Sequence, residues 1–230
     1  MTARAEVAVL LCVLNGERHL VDQLDSLRAQ QHVVCDLWAS DDGSSDASPD
    51  ILGKQRAGGA IRSITTCRGP ARGYVANFLS LLARVEPDAP YYAFCDQDDI
   101  WDADKLYRAT SCLQTLPEDA AALYCSRTRF VDDHGAPSGQ SPLFCRAPSF
   151  ANALVQNIAG GNTMVMNAAA RNILRHVGNV DVVMHDWWSY LLITGVGGVV
   201  IYDPEPSLDY RQHDGNLVGA NLGFGSRARR

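Results

Sequence analysis

The chain has 230 residues, of which 47% are hydrophobic and 20% are charged, with a net charge of −6 and a pI near 5.4. A chain of this length buries enough surface to fold without disulfides or metal, and its acidic balance lacks the concentrated cationic face that nucleic-acid binding requires. We therefore expect a globular protein that does not act on nucleic acid, with a basic tail confined to residues 222–230.

Strands alternate with helices in the first half of the chain. Apolar runs predict strands at residues 7–14, 33–40, 60–65 and 91–95. Apolar residues at helical spacing predict helices around residues 20–27 and 75–85, and Ser48-Pro49 at a turn predicts the start of another at residues 48–56. Strands that alternate with helices in this way form a parallel sheet that is covered on both faces.

The second half departs from this rhythm. Leu106, Leu113 and Leu116 predict a helix after Asp104, and residues 186–193 predict another. Short strands are predicted at residues 121–124, 129–131, 162–167, 199–203 and 207–211. Residues 137–148 contain Pro and Ser without periodicity and predict a loop. The sequence contains no internal repeat and no flexible linker, which favours one domain over residues 1–230.

Three features predict the compartment. The N-terminus has no charged segment followed by an apolar run, so it does not resemble a signal peptide. The longest uncharged stretch, residues 187–202, is shorter than the roughly 20 apolar residues that cross a bilayer. Seven cysteines without a C-x-x-C spacing are typical of buried thiols in a reducing cytoplasm.

Polar turns follow three of the predicted strands. They are Asn15-Gly16-Glu17, Asp41-Asp42-Gly43 and Asp96-Gln97-Asp98-Asp99, and ligands of open parallel sheets bind at this edge. Residues 41–46 alone are equally well explained as a capped turn, because Asp, Gly and Ser are common turn residues. Three carboxylates within four residues repel one another unless a cation or hydrogen-bond donors compensate, so residues 96–99 indicate a metal or nucleotide site.

In this order the motifs resemble family-2 inverting glycosyltransferases of the GT-A fold. Leu14-Asn15-Gly16-Glu17, residues 40–46 and Asp96-Gln97-Asp98-Asp99 are similar to the family's first turn, its second turn and its DXD motif. The resemblance covers about residues 6–220 and includes Gly160-Gly161-Asn162, His185-Asp186-Trp187-Trp188 and Tyr210-Arg211-Gln212-His213, as in bacterial rhamnosyltransferases. It implies an α/β nucleotide-diphospho-sugar transferase fold with a mainly parallel central sheet flanked by helices.

The resemblance implies a donor site built from carboxylates. Asp41 would accept a hydrogen bond from the base of a pyrimidine nucleotide, in a pocket lined by Asn15 and Glu17. Asp96 would face the ribose or the water shell of the metal. Asp98 would bind the Mg²⁺ or Mn²⁺ that bridges the diphosphate. Asp98 and Asp99 point opposite ways on an extended turn, and we assign the ion to Asp98. His213 would be a further metal ligand.

The resemblance also implies an acceptor site. Asp186 would be the general base, although an Asp at this position is also typical of a helix N-cap. Trp187 and Trp188 would wall the acceptor site. Gly161 and Asn162 would offer hydrogen bonds to the sugar or acceptor, but a tight turn explains them equally well. Arg211 would contact phosphate through its forked guanidinium.

These assignments predict a metal-dependent inverting enzyme of polysaccharide biosynthesis. It would move L-rhamnose from a dTDP-rhamnose donor to a hydroxyl of a glycan or lipid-linked saccharide. The nucleotide-binding half would span about residues 1–100, and the acceptor-binding half about residues 101–221. We expect a cytoplasmic protein with peripheral association at the inner face of the membrane, because such an acceptor is membrane-anchored.

Two other functions are compatible with an α/β sheet that carries acidic turns. A sugar-nucleotide nucleotidyltransferase usually has a Gly-rich phosphate loop after its first strand, whereas this chain has Asn15-Gly16-Glu17-Arg18. A non-catalytic sugar-binding subunit would not need both Asp98 and Asp186. A donor-hydrolysis assay separates this last possibility from an enzyme.

Overall fold

The computed structural model describes residues 4–86, 88–178 and 180–212. The strands are β1 (Ala5–Val13), β2 (Val33–Asp41), β3 (Ile61–Arg68), β4 (Tyr91–Cys95), β5 (Ile100–Trp101), β6 (Ala122–Ser126), β7 (Arg129–Val131), β8 (Pro137–Gln140), β9 (Val165–Asn167), β10 (Val199–Asp203) and β11 (Leu208–Arg211). The helices are α1 (Leu20–Arg28), α2 (Ser48–Lys54), α3 (Tyr74–Arg84), α4 (Lys105–Leu113), α5 (Phe150–Ala153), α6 (Ala168–Val177), α7 (His185–Gly195) and a one-turn 3₁₀ helix, Gly161–Thr163.

The large sheet has seven strands in the order β10-β6-β9-β4-β1-β2-β3. Its neighbouring strands are parallel, except that β9 runs antiparallel to both β4 and β6. This confirms the predicted α/β architecture with a mainly parallel sheet. Seven consecutive residues of β1, from Val7 to Val13, are buried. A strand covered on both faces has no solvated side, which explains its continuous apolar sequence.

Side chains of the large sheet alternate between two apolar cores. Val9 of β1 lies in a core with Leu24 of α1 and Leu106 of α4. Leu10, the next residue of β1, lies in the opposite core with Phe78 of α3. The helices therefore cover both faces of the sheet and leave the carboxyl ends of its parallel strands for the polar turns.

A smaller sheet lies beside these turns, with the strand order β5-β11-β7-β8. Strand β5 begins directly after Asp99, and β11 pairs with it antiparallel at Leu208 and Trp101. Strand β11 also pairs parallel with β7. The segment that follows residues 96–99 is thus anchored by a sheet of its own.

The structure corrects three predictions made for the second half. The predicted loop at 137–148 contains strand β8, whose four residues are all exposed, so no apolar alternation marks it. The predicted strand at 162–167 begins as the 3₁₀ helix and becomes β9 only at Val165. Helix α4 ends at Leu113, so Leu116 lies beyond it.

Helix α6 was not predicted from the sequence. It begins where the side chain of Asn167 accepts a hydrogen bond from the backbone N–H of Ala170. Its buried residues are Ala170, Arg171 and Leu174. The Arg171 guanidinium donates to the carbonyl oxygens of Leu82 and Val85 at the end of α3. Ala170, Ile173, Leu174 and Val177 nevertheless recur at helical spacing, so the sequence does carry the periodic signal of this helix.

The cysteines form no disulfides among the residues that the structure describes. All seven cysteines are free, and Cys12, Cys35, Cys95 and Cys125 are buried.

In the part of the chain that the structure describes, no helix combines the length and the apolar character needed to cross a membrane.

Candidate functional site

Hydrogen bonds join the first turn (residues 14–17, after β1) to the second turn (residues 41–46, after β2). The Asn15 backbone N–H donates to Ser44 Oγ at 2.9 Å, and the Ser45 N–H donates to Asn15 Oδ1 at 2.8 Å. The Ala47 N–H donates to Glu17 Oε2, also at 2.8 Å. The structure therefore gives Asn15 and Glu17 a role in fastening the two turns together, and their contact with a nucleotide stays a prediction.

The acid turn (residues 96–99, after β4) is tied to the first turn from the other side. The Leu14 N–H donates to Gln97 Oε1 at 2.8 Å, and Gln97 Nε2 donates to the Leu14 carbonyl at 3.1 Å. A Cβ atom on Gly16 would lie 2.5 Å from Gln97 Oε1, so a side chain here would displace Gln97 from these two hydrogen bonds. The three turns predicted to carry the chemistry thus form one connected surface.

Asp41 lies at the end of β2 beside a cavity of about 570 Å³. Its carboxylate accepts hydrogen bonds from the backbone N–H and the hydroxyl of Ser44, as a turn residue does. Leu52, Thr66 and Cys67 also line the cavity. The position combines a turn-forming role with a carboxylate at the wall of a cavity that is large enough for a nucleoside.

Asp42 has a structural role that the sequence motif did not reveal. Its buried carboxylate accepts hydrogen bonds from the N–H groups of Ala71 at 2.7 Å and Gly73 at 3.0 Å. Ala71 and Gly73 have φ angles of +54° and +88°. Asp42 therefore holds loop 69–73, which leads into α3, in a conformation that the backbone does not readily adopt unaided.

Replacing Asp42 with Ala should destabilise the protein, because the N–H groups of Ala71 and Gly73 lose their acceptor. We expect the free energy of unfolding to fall by about 1–3 kcal/mol in denaturant titrations. Asp119→Ala, at an exposed position, is the matched control and should leave stability nearly unchanged. Equal midpoints for the two variants would show that loop 69–73 is held by other contacts.

The carboxylates of the acid turn are in different environments. Asp99 is fully buried, and its Oδ2 accepts a hydrogen bond from Asn162 Nδ2 at 2.8 Å, whereas Asp98 is partly exposed. Burial, reinforced by the charges of Asp98 and Asp186, raises the pKa of Asp96 to about 7. Burial and the charges of Asp98 and Asp96 also raise the pKa of Asp99. The charges of Asp98, in the acid turn, and of Asp186 therefore both act on the carboxyl group of Asp96.

The chemistry of the acid turn fits a hard divalent cation. In residues 4–86, 88–178 and 180–212, no three His, Cys, Asp or Glu side chains converge on a preformed metal site. Mg²⁺ is commonly held by one or two carboxylates together with phosphate oxygens of the substrate, and the partly exposed Asp98 suits that arrangement. His213, predicted as a further ligand, lies outside the described residues.

Asp186 lies in the first turn of α7 and is 7% exposed. Its Oδ1 accepts from the Trp187 N–H at 2.7 Å, and its Oδ2 accepts from the Gly161 N–H at 2.9 Å. Asp186 is the second residue of α7 and Met184 is its N-cap, so Asp186 is not the N-cap that the sequence allowed, although its bond to Trp187 satisfies one amide of the first turn. Each carboxylate oxygen has a second lone pair, so Asp186 retains capacity to accept a proton.

The imidazole ring of His185, the neighbour of Asp186, is buried among aromatic side chains. The ring stacks on Phe78 with centroids 4.2 Å apart and meets Phe94 edge-on at 4.8 Å. Burial lowers the pKa of His185 to about 4, so the ring is neutral near pH 7. A Cβ on Gly161 would lie 2.8 Å from His185 Nε2, and this explains the glycine. Both ring nitrogens of His185 are buried and have no hydrogen-bond partner among the described residues, so the ring is enclosed by its aromatic neighbours.

The two tryptophans differ in their surroundings. Trp187 Nε1 donates to the Ala153 carbonyl of α5 at 2.6 Å, which fixes the orientation of its partly exposed indole. Trp188 packs partly against the apolar core below α7. Of the two, Trp187 is the better placed to present a surface to an acceptor, and contact of either with one stays a prediction.

Arg211 connects the acid turn to the smaller sheet. Its Nε donates to the Asp98 carbonyl at 3.2 Å, its Nη1 to the Asp133 carbonyl at 3.1 Å and its Nη2 to Asp22 Oδ2 at 3.2 Å. The side chain is 4% exposed. The structure thus uses all three guanidinium nitrogens within the protein, and the predicted phosphate contact stays a prediction.

Comparison with known proteins identifies relatives of this architecture. Residues 8–175 match the family model described as Glycosyl transferase family 2. The dTDP-rhamnosyl transferase RfbG of Shigella flexneri is 27% identical over 232 residues, covering 96% of this chain and 77% of RfbG.

Two solved structures share the fold at low sequence identity. TarS of S. aureus in complex with UDP-GlcNAc has a TM-score of 0.68 at 15% identity, covering 92% of this chain and 60% of the TarS chain. The mannosyltransferase PcManGT of Pyrobaculum calidifontis, in complex with GDP-Man and Mn²⁺, has a TM-score of 0.65 at 18% identity, covering 94% and 59%. The chain thus spans less than two thirds of either protein. It belongs to glycosyl transferase family 2, has the GT-A fold and is a glycosyltransferase.

Proposed function

We propose that this chain transfers a sugar from a nucleoside diphosphate donor to an acceptor hydroxyl with inversion at the anomeric carbon. The observation that carries the proposal is the convergence of the acid turn and Asp186 on one 3₁₀ helix: Asn162 donates to Asp99, and the neighbouring Gly161 donates to Asp186. A donor held at the acid turn would then have its reacting carbon between the turn and the base.

The proposed reaction is a single displacement. Asp186 accepts the proton of the acceptor hydroxyl while the hydroxyl oxygen bonds to the anomeric carbon on the face opposite the diphosphate. The bond between that carbon and the diphosphate oxygen breaks, and the diphosphate leaves with the electron pair. A divalent cation held by Asp98, with His213 as a further ligand, would neutralise charge on the leaving diphosphate.

The proposed donor is dTDP-rhamnose. RfbG, which is named as a dTDP-rhamnosyl transferase, aligns with nearly the whole chain and supports this choice. Asp41 recognises the base in the adjoining cavity, and Asp96 faces the ribose or the cation's water shell. The acceptor is a hydroxyl of a glycan or lipid-linked saccharide, reached by peripheral association with the inner face of the membrane, with Trp187 at the acceptor side.

A donor panel tests this function. Thermal unfolding with Mn²⁺ and single nucleotide sugars should give the largest upward shift with dTDP-rhamnose, because a ligand that binds only the folded state stabilises it. Mass spectrometry of a saccharide acceptor should then show the addition of one deoxyhexose. A larger shift and transfer with a UDP- or GDP-sugar would overturn the proposed donor while leaving glycosyl transfer intact.

Recognition of the base by Asp41 gives a separate prediction. Asp41→Ala should weaken binding of dTDP by about 5- to 150-fold in calorimetry, the equivalent of about 1–3 kcal/mol for a lost buried hydrogen-bond partner. Asp50→Ala, at an exposed position in the first turn of α2, is the control. Unchanged dTDP affinity in the Asp41 variant would leave this residue with its turn-forming role alone.

A further inference from the structure

The short helix α5 and the two residues after it form one helical turn whose polarity is inverted. The Leu154 N–H donates to the Phe150 carbonyl and the Val155 N–H to the Asn152 carbonyl, so the turn continues to residue 155. Its polar residue, Asn152, is partly buried. An ordinary surface helix has the opposite arrangement, with its polar residues toward solvent. The exposed side chains of the turn are all apolar and are called here the apolar turn face: Phe150 (46% exposed), Ala151, Leu154 (58%) and Val155 (77%).

Hydrogen bonds to α7 hold the turn in this orientation. Tyr190 Oη donates to Asn152 Oδ1 at 2.9 Å, and Trp187 Nε1 donates to the Ala153 carbonyl at 2.6 Å. Ser149 caps the turn, because its Oγ accepts from the Asn152 N–H at 3.2 Å. The turn cannot rotate to bury its apolar side chains without breaking these bonds. The apolar turn face is therefore a fixed feature of the folded chain.

The size of the apolar turn face indicates what covers it. Single exposed apolar residues are normal on protein surfaces, whereas adjacent ones mark contact with another molecule or phase. A stable protein interface buries roughly 800 Å² on each partner, from about 20–30 residues, and one helical turn cannot supply that area. Insertion into a bilayer surface has no such minimum, because binding grows with each apolar side chain that is buried. The dimensions favour a lipid surface.

The charges around the turn favour a lipid surface that is anionic. The whole chain carries a net charge of −6, which opposes binding to anionic lipid. The segment that contains the turn differs from the rest, because no Asp or Glu occurs between Asp133 and Asp181. Arg146, four residues before Phe150, is exposed. Lipid binding would therefore be directed to this segment, where a cation lies beside apolar side chains.

The turn is also linked to the proposed reacting groups. Trp187, which donates to the Ala153 carbonyl, directly follows Asp186 in the first turn of α7. We propose that the apolar turn face inserts into the surface of an anionic lipid bilayer and brings a membrane-anchored acceptor to Asp186. The delivery of the acceptor rests on the proposed function, whereas the binding of the turn to lipid does not.

Co-sedimentation with vesicles tests the binding. The vesicles contain equal parts of phosphatidylglycerol and phosphatidylcholine, and no donor, acceptor or metal is present. The unmodified protein should bind, and the double variant Leu154→Gln with Val155→Gln should bind at least roughly tenfold more weakly, because two apolar side chains no longer enter the lipid. Val21→Gln is the matched control. Val21 is 48% exposed on α1, which packs on the opposite face of the large sheet, so this variant should bind as the unmodified protein does.

Replacing Arg146 tests the anionic character of the surface. Arg146→Gln should weaken binding to the mixed vesicles about fivefold, as expected for one cation near an anionic surface, and should leave binding to pure phosphatidylcholine vesicles unchanged. Added salt should reduce the difference between the two proteins. Equal binding of Arg146→Gln and the unmodified protein to the mixed vesicles would overturn the charge contribution.

Coverage of the face by protein would give different results. The double variant should match Val21→Gln in its unfolding midpoint, because exposed side chains contribute little to stability. A markedly lower midpoint would show that another segment of the chain covers the face. A dimer of the unmodified protein that the double variant dissociates would assign the face to a second copy. Either result overturns the inference, as does an unmodified protein that binds no vesicles, or a double variant that binds them normally.

Transfer assays distinguish failure of this inference from failure of the proposed function. With a water-soluble saccharide acceptor, the double variant should turn over as fast as the unmodified protein. With a lipid-anchored acceptor in the mixed vesicles its turnover should fall at least roughly fivefold, because the protein is no longer concentrated at the surface. Equal rates on the anchored acceptor would overturn its delivery by the turn. An unmodified protein that transfers no sugar would refute the proposed function, and vesicle binding would still be measured.

Discussion

Replacing Asp186 with Asn should lower turnover by roughly 10²–10⁴-fold, because an amide cannot accept the proton of the acceptor hydroxyl. Donor binding should persist in calorimetry, since Asp186 lies on the acceptor side of the proposed site. The free energy of unfolding should fall by about 1 kcal/mol, because Asp186 accepts from both Trp187 and Gly161 and Asn offers only one acceptor oxygen. Loss of turnover should therefore far exceed loss of stability.

Asp181→Asn is the matched control for this prediction. It makes the same chemical change at an exposed residue five positions earlier. Its turnover should equal that of the unmodified protein. An Asp186→Asn variant that turns over as fast as this control would remove Asp186 from the mechanism. The neighbouring His185, whose buried ring packs against Phe78 and Phe94, would then be the residue to test in the same assay.

The sequence predicted the central architecture because burial leaves a strong local signal there. Strand β1 is buried along almost its whole length, so its apolar run marked both the strand and the polar turn that follows. Its neighbour β2 alternates between buried and partly exposed residues and ends at Asp41. The carboxyl ends of these parallel strands lie at one edge of the sheet, which allowed the turns to be grouped from order alone.

The contacts that assemble the site leave no such signal. Arg211 donates to the Asp98 carbonyl across 113 residues, and the pairing depends on how β11 joins the smaller sheet. Asp42 stood in a motif rich in turn residues, and nothing local distinguished a loop-holding carboxylate from a ligand-binding one. Side-chain contacts between distant segments are set by tertiary packing, so spacing within a motif does not encode them.

Lys105, the first residue of α4, illustrates the same limit. Lysine is almost never fully buried, so nothing local marks this one as fully buried. Only the placement of β5 and α4 brings its Nζ over the ring of Trp101.

Replacing Asp98 with Asn should abolish metal-dependent transfer, lowering turnover by roughly 10²-fold or more at saturating donor. A neutral amide oxygen is a weaker ligand for Mg²⁺ or Mn²⁺ than a carboxylate, so the leaving diphosphate would lose its charge compensation. A chelator should stop transfer by the unmodified protein, and added Mn²⁺ should restore it there but not in the variant.

The control for this prediction is Asp104→Asn, at an exposed residue whose side chain makes no capping hydrogen bond to α4. It should respond to chelator and Mn²⁺ as the unmodified protein does. Calorimetry of dTDP binding with and without Mn²⁺ separates the cation's effect on the donor from its effect on turnover. Full transfer by the unmodified protein in chelator would refute metal dependence itself. Normal Mn²⁺ dependence in Asp98→Asn would instead reassign the ion to another carboxylate of the acid turn. Asp96 would then be the first candidate, because the charges of Asp98 and Asp186 both act on it.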